Sequence, residues 1–248
     1  MIIQEVVETI ELLLSNRLLL YSLFHGAFGR EPDAALLKIL SSHEVIESFK
    51  LLSGEKGDVM EQAADFLSQW SENAPDEELL SQLRSEYTRL FIGPDKLAAP
   101  PWESVYRSKQ GLLFQESTLT VREIYRSQGL RPEEYPHVPD DSLALELDFM
   151  THMARRSLAV LRNTAADSRD GADPALQVNT DLADLLTIQE AFLREHLLFF
   201  VSKLPEKISV SSSGLFYPQM LSILLDFLKK DREFLLELMS VGELSKTI

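Results

Sequence analysis

A chain of 248 residues can bury a core as one large domain or as two small ones. Its 24 basic residues against 39 acidic ones leave a formal charge of −15 and a pI near 4.8. That balance argues against a nucleic-acid partner, whose phosphates require clustered Lys and Arg. It suits a basic partner, and equally plain solubility. Cysteine is absent, which excludes disulfides, iron–sulfur clusters and thiolate zinc sites and makes a reducing cytoplasm the expected location.

The start, Met1 to Glu8, is acidic where a secretory signal would be basic. The adjacent arginines, Arg155 and Arg156, lie mid-chain, so no export signal of the chain's own is expected. The apolar run Leu197 to Val201 is far below membrane-spanning length.

Apolar residues recur at three and four throughout, and strand-like alternation is nearly absent. This pattern predicts helices over 2–28, 33–52, 57–72, 76–92, 103–128, 140–164, 178–204 and 215–240. Pro75 followed by Asp76, Glu77 and Glu78 supplies a preset φ and acids for a first turn. Pro132, Pro136 and Pro139 interrupt residues 129–139 and forbid a helix there. Asp140 and Asp141 after Pro139 can cap the helix that follows. Residues 164–177 read as an exposed polar loop and 208–214 as a short connector. The expected fold is all-α, a bundle of about eight or more helices in two sub-bundles. Residues 1–128 form one half, 129–139 a proline-rich hinge, and 140–248 the other half.

The richest stretch runs from Tyr87 through Leu90, Phe91 and Gly93 to Pro100-Pro101-Trp102-Glu103-Ser104-Val105-Tyr106. Tyr87, Leu90 and Phe91 share a helix face, which spacing alone reads as ordinary core. Trp102 follows two prolines and has no helical face to bury it. It reads as a rigid recognition residue or as a plug between helices. Glu103 and Ser104 sit where a helix begins and suit capping, with Glu103 also able to face a groove.

Asp140, Asp141 and Glu146 form a second cluster. Glu146 shares a stripe with Leu143, Leu147 and Met150, so its carboxylate needs a partner. An arginine is the natural one, either internal or belonging to a ligand. His196 lies on the apolar face of Leu182, Leu185, Leu186, Gln189, Phe192 and Leu193, where a lone histidine is ordinarily a hydrogen-bonded core residue.

Enzymatic patterns do not assemble. Glu134-x-x-His137 contains Pro136, which destroys the helix that would aim both as metal ligands. Asp148 and His152 have no second pair, and Asp140-Asp141 lacks the third acid and second motif of a magnesium site. No glycine-rich phosphate loop or Gly-x-Ser-x-Gly is found. No catalytic residue, cofactor or metal is expected.

The motif series resembles the TorD/DmsD family of chaperones for molybdopterin enzymes. The matching residues are Arg17 to Phe24 with Glu31-Pro32, then Leu90-Phe91-Ile92-Gly93 and Pro101 to Tyr106. Pro139-Asp140-Asp141 with Glu146-Leu147, and Phe192 through His196-Leu197, complete it in the family's order. One departure stands out: the family has a histidine after the second aspartate, and this chain has Ser142. The resemblance implies a cytoplasmic, non-catalytic, all-helical chaperone. It would bind the twin-arginine signal peptide and catalytic subunit of a molybdopterin oxidoreductase, without nucleic acid or membrane insertion, as a monomer or an exchanged-helix homodimer. Under that resemblance Tyr87, Leu90, Phe91, Trp102, Tyr106 and His196 would line the peptide groove, with Glu103, Asp140, Asp141 and Glu146 receiving arginines.

Overall fold

A computed structural model describes residues 2–54, 57–70, 77–93, 97, 99–133, 138–167, 180–209 and 216–244. The expected features at Pro75-Asp76, Pro94 and Glu134–His137 lie outside these residues, as do 168–177 of the polar loop and 210–214 of the connector.

Among the described residues the chain is helical, with one isolated antiparallel bridge between Trp102 and Ser142. The helices are α1 (Ile2–Gly29), α2 (Ala34–Leu40), α3 (His43–Leu51), α4 (Val59–Ser68), α5 (Glu77–Tyr87), α6 (Glu103–Arg107) and α7 (Glu116–Ser127). They continue as α8 (Leu143–Asp167), α9 (Thr180–Phe192), α10 (Leu198–Val201), α11 (Leu204–Ser209) and α12 (Tyr217–Leu244). Wide π turns extend α5 over Thr88–Ile92 and join α9 to α10 over Leu193–Leu197.

The long helices α1, α8 and α12 carry the core. α1 lies along α8, and α12 packs on α9 and α4. Tyr21, Phe24 and Phe28 of α1 meet Phe227 and Tyr217 of α12 through ring contacts of 5.0–6.0 Å. One contiguous apolar cluster therefore draws on residues from both sides of the 129–139 connector.

Local chemistry explains where the predicted helices divide. The stretch 33–52 is two helices because Ser42 starts afresh, its side chain accepting from the Val45 N–H. The stretch 103–128 is also two helices: α6 stops after Arg107, and Gly111 (φ 65°) and Phe114 (φ 55°) turn the chain before α7. Residues 164–167, expected in the polar loop, belong to α8, which continues to Asp167.

Two buried carboxylates fasten long helices at a distance in sequence. Glu86 accepts from the N–H groups of Phe216 (3.3 Å) and Tyr217 (3.2 Å), capping the start of α12 from α5. Asp231 of α12 receives Nε and Nη2 of Arg17 and the Tyr21 hydroxyl (2.6 Å), tying α12 to α1. Burial and the Asp231 charge push the Tyr21 hydroxyl well above its ordinary pKa, so it stays a donor.

Candidate functional site

The two signature segments meet. The Leu143 N–H donates to the Pro101 carbonyl and the Glu103 N–H to the Asp141 carbonyl, both at 2.9 Å. These bonds flank the Trp102–Ser142 bridge and set the starts of α6 and α8 side by side. Proline fits this geometry, because Pro101 needs only to accept.

Capping follows a pattern different from the one spacing suggests. Asp141 does not cap its own helix; its Oδ2 accepts from the Ser104 N–H at 2.6 Å and caps α6 across the bridge. Neither Glu103 nor Ser104 caps α6 through its side chain. The α8 start is served by Ser142, whose carbonyl accepts from Glu146 N–H (2.9 Å) and whose hydroxyl accepts from Leu145 N–H (3.3 Å). Asp140 takes an internal arginine instead, Arg122, at 2.8 and 2.9 Å, while Tyr125 donates to its carbonyl at 3.1 Å.

At the centre lies Glu103, wholly buried. Its Oε1 accepts from Arg107 Nε and its Oε2 pairs with His196 Nδ1 at 2.9 Å. A carboxylate can only accept, so Nδ1 carries the proton. Glu146 is also wholly buried, and among the described residues no internal arginine is hydrogen-bonded to its side chain. Burial first, then the charges of Glu103 and Asp141, push its carboxyl well above the usual range, outweighing Arg107. That push favours the neutral carboxyl, whose two oxygens have no hydrogen-bond donor among the described residues.

Above this centre opens a cleft of about 720 Å³ lined by Arg107, Gln115, Glu116, Ser117, Arg194, Glu195, His196 and Phe199, among others. The wide turn at Leu193–Leu197 places His196 at its floor and Glu195 at its rim. Such turns occur often at functional sites. The Arg107 guanidinium lies 4.0 Å above the Phe199 ring and also donates to the Glu195 carbonyl.

The structure thus brings Glu103, Glu146, Asp141 and His196 together, with Trp102 half-buried in the bridge beside them. Tyr106 packs its ring 5.3 Å from Phe200, and burial pushes its hydroxyl pKa up. Tyr87, Leu90 and Phe91 stand apart from the cleft. They are 6, 0 and 6% exposed and pack on Phe28 and Tyr217, so spacing's core reading of them holds. Burial, then the Glu31 charge, raises the Tyr87 hydroxyl to about 12. Sequence reasoning missed Arg107, Glu195, Phe199 and Arg122. The spacing Glu103-x-x-x-Arg107 was a usable signal for the first, whereas nothing links Arg122 to Asp140 before the fold is known.

Among the described residues no group of acids and histidines is placed to hold a metal, and no helix is long and apolar enough to cross a membrane. Residues 55–205 match the family model described as the nitrate reductase delta subunit. This chain belongs to that family, together with the TorD and DmsD proteins. The chaperone protein TorD of Vibrio cholerae serotype O1 is 28% identical over 157 residues, 63% of this chain and 64% of that protein. TorD of Vibrio parahaemolyticus is 26% identical over 218 residues, covering 88% of this chain and 93% of its own length. The Tat proofreading chaperone DmsD of Salmonella paratyphi A is 42% identical over 59 residues, 24% of this chain and 29% of that protein. The chain thus spans just under two thirds of the Vibrio cholerae relative. These relatives are named as chaperones, not as enzymes. Ser142 serves as the α8 cap and bridges to Trp102.

Proposed function

We propose that this chain is a cytoplasmic maturation chaperone for a molybdopterin-dependent oxidoreductase of the dimethyl sulfoxide reductase group. It binds the client's twin-arginine signal peptide and apo-form, holds them until the cofactor is inserted, and releases them before export. The observation that carries this reading is the TorD relationship over 88% of the chain, and the likeness to DmsD, a Tat proofreading chaperone, supports the twin-arginine part of it.

The chemistry of the cleft fits the task. A twin-arginine peptide offers two planar cations followed by apolar side chains. The cleft offers the acids Glu116 and Glu195 at its rim, Glu103 beneath it and the Phe199 face. Glu103, Asp140, Asp141 and Glu146 are wholly buried and the first three are internally engaged, so direct contact of those three with a peptide requires exchange of their present partners. Tyr87, Leu90 and Phe91 are packed in the core, so a peptide contacts them only after local rearrangement. The 129–139 connector as a hinge between halves, and a homodimer by exchange across it, are further parts of the proposal, checked by sedimentation of the isolated protein.

A second reading keeps the family and changes the client. The matched description, nitrate reductase delta subunit, favours an assembly chaperone for a nitrate-reductase-type catalytic subunit without an export signal. Affinity capture from the chain's own anaerobically grown cells separates the two. Recovery of a molybdoenzyme with its twin-arginine leader supports the first reading, and one without a leader supports the second. Recovery of no molybdoenzyme contradicts both.

A further inference from the structure

Arg107 sits in its surroundings as a ligand sits in a receptor. Its Nε donates to the buried Glu103 carboxylate, Nη2 donates to the Glu195 carbonyl, and the guanidinium carbon lies 4.0 Å above the Phe199 ring. A carboxylate, a carbonyl and an aromatic face select a planar guanidinium over an ammonium. Glu195 and Phe199 come from the turn and helix that follow α9, so tertiary packing builds the clamp, and α6 supplies Glu103 and the arginine.

The arginine is also the replaceable member of this set. Its side chain is 35% exposed where it forms a wall of the cleft. Losing the only partner of a buried carboxylate is ordinarily prohibitive. Glu103 would keep His196 Nδ1 at 2.9 Å. The backbone carrying Arg107 lies at an element end. It ends a five-residue helix and leads into residues 108–115, where Phe114 takes φ 55° and Leu112, Leu113 and Phe114 are exposed. A bulky residue at positive φ is an outlier of the sort that accompanies a functional loop.

We propose that Arg107 is a built-in placeholder. It occupies a guanidinium clamp, formed by Glu103, the Glu195 carbonyl and the Phe199 ring, that an arginine of the ligand takes by displacing it. The ligand's identity rests on the peptide reading above; the clamp rests on these residues alone. Exchanging one guanidinium for another keeps Glu103 neutralised at every stage, and it favours arginine over lysine because only the planar fork reproduces all three contacts. The placeholder also sets affinity, since the ligand gains only the difference between its own contacts and those it displaces.

Two measurements test this. In thermal melts, 1-ethylguanidinium at about ten times its dissociation constant should raise the Tm of Arg107→Ala by about 4 °C. The parent and the ethylammonium controls should not move. No selective rise in the variant overturns the placeholder. By fluorescence anisotropy, Arg107→Gln should bind a twin-arginine leader peptide about tenfold more tightly than the parent does, with a twin-lysine version unchanged. Equal or weaker binding of the arginine peptide by Arg107→Gln also overturns it. If ethylguanidinium rescues the variant while the leader binds neither protein, the clamp stands and the peptide reading of the cleft fails. If the leader binds parent and variant alike, the peptide reading stands and the placeholder falls.

Discussion

The molecule contains two buried ionic centres that differ in how their charges balance. In the first, Asp231 faces Arg17 and the Tyr21 hydroxyl, one anion against one cation, with both carboxylate oxygens engaged. Burial works against the Arg17 charge, yet the Asp231 charge and hydrogen bond leave it above its ordinary pKa. In the second, Glu103 takes Arg107 and His196 and Asp141 takes the Ser104 N–H, while burial beside these two acids pushes the Glu146 carboxyl well above its ordinary range. The first centre ties α1 to α12 and contributes no residue to the cleft lining. The second lies under the cleft and is bounded by a displaceable arginine. A balanced buried pair holds a fold together, whereas an oversupplied one leaves a site able to receive a cation.

The largest expected effect breaks the first centre. Asp231→Ala leaves Arg17 buried without its anion, and urea unfolding should show a loss of about 3–5 kcal/mol. Peptide affinity per folded molecule should stay unchanged; a large change in it would mean the two centres are coupled.

Glu146→Gln sharpens the contrast from the other side. A raised folded-state pKa means the native protein holds a proton that the unfolded chain releases above the ordinary carboxyl range. That contribution is complete below the unfolded pKa and is lost as pH rises towards the folded one. The parent should therefore lose stability as pH rises from 5 towards 8. The amide, which cannot ionise, should remove that slope and stabilise the protein at pH 7.5 by on the order of 1 kcal/mol. An identical slope in parent and variant would show that Glu146 is ionised.

Arg107→Gln should be milder, because the side chain is a third exposed and Glu103 keeps His196. A stability loss under about 1 kcal/mol is expected in the same unfolding experiment. A loss several times larger would make Arg107 a structural member like Arg17. Smallest is Phe114→Gly, which relieves the positive φ while giving up a half-exposed ring. A gain of up to about 1 kcal/mol is expected, and a loss would show that the ring's packing outweighs the strain.

Much of the helical frame was legible in the sequence, because three- and four-residue periodicity reports one apolar face per helix. The breaks were less so. Ser42 and the 108–115 turn interrupt patterns whose apolar spacing continues across them, and spacing carries no record of backbone direction. The acids of the site were legible as residue types, but their partners were not. Asp141 caps a helix 37 residues away and Glu103 meets His196 93 residues on, contacts that exist only after tertiary packing. The upward push on the Glu146 carboxyl was equally hidden, since it follows from burial beside two other acids. The aromatics Tyr87 and Phe91 illustrate the opposite case: helical spacing alone identified them as core, and they are core.

The most direct test of the account is calorimetric titration of the parent chain with a client's twin-arginine leader peptide and with the same peptide carrying alanines at both arginines. Binding at roughly micromolar affinity, weakened at least about tenfold by the alanines, is the predicted result. Equal binding of the two peptides, or binding of neither, would contradict it.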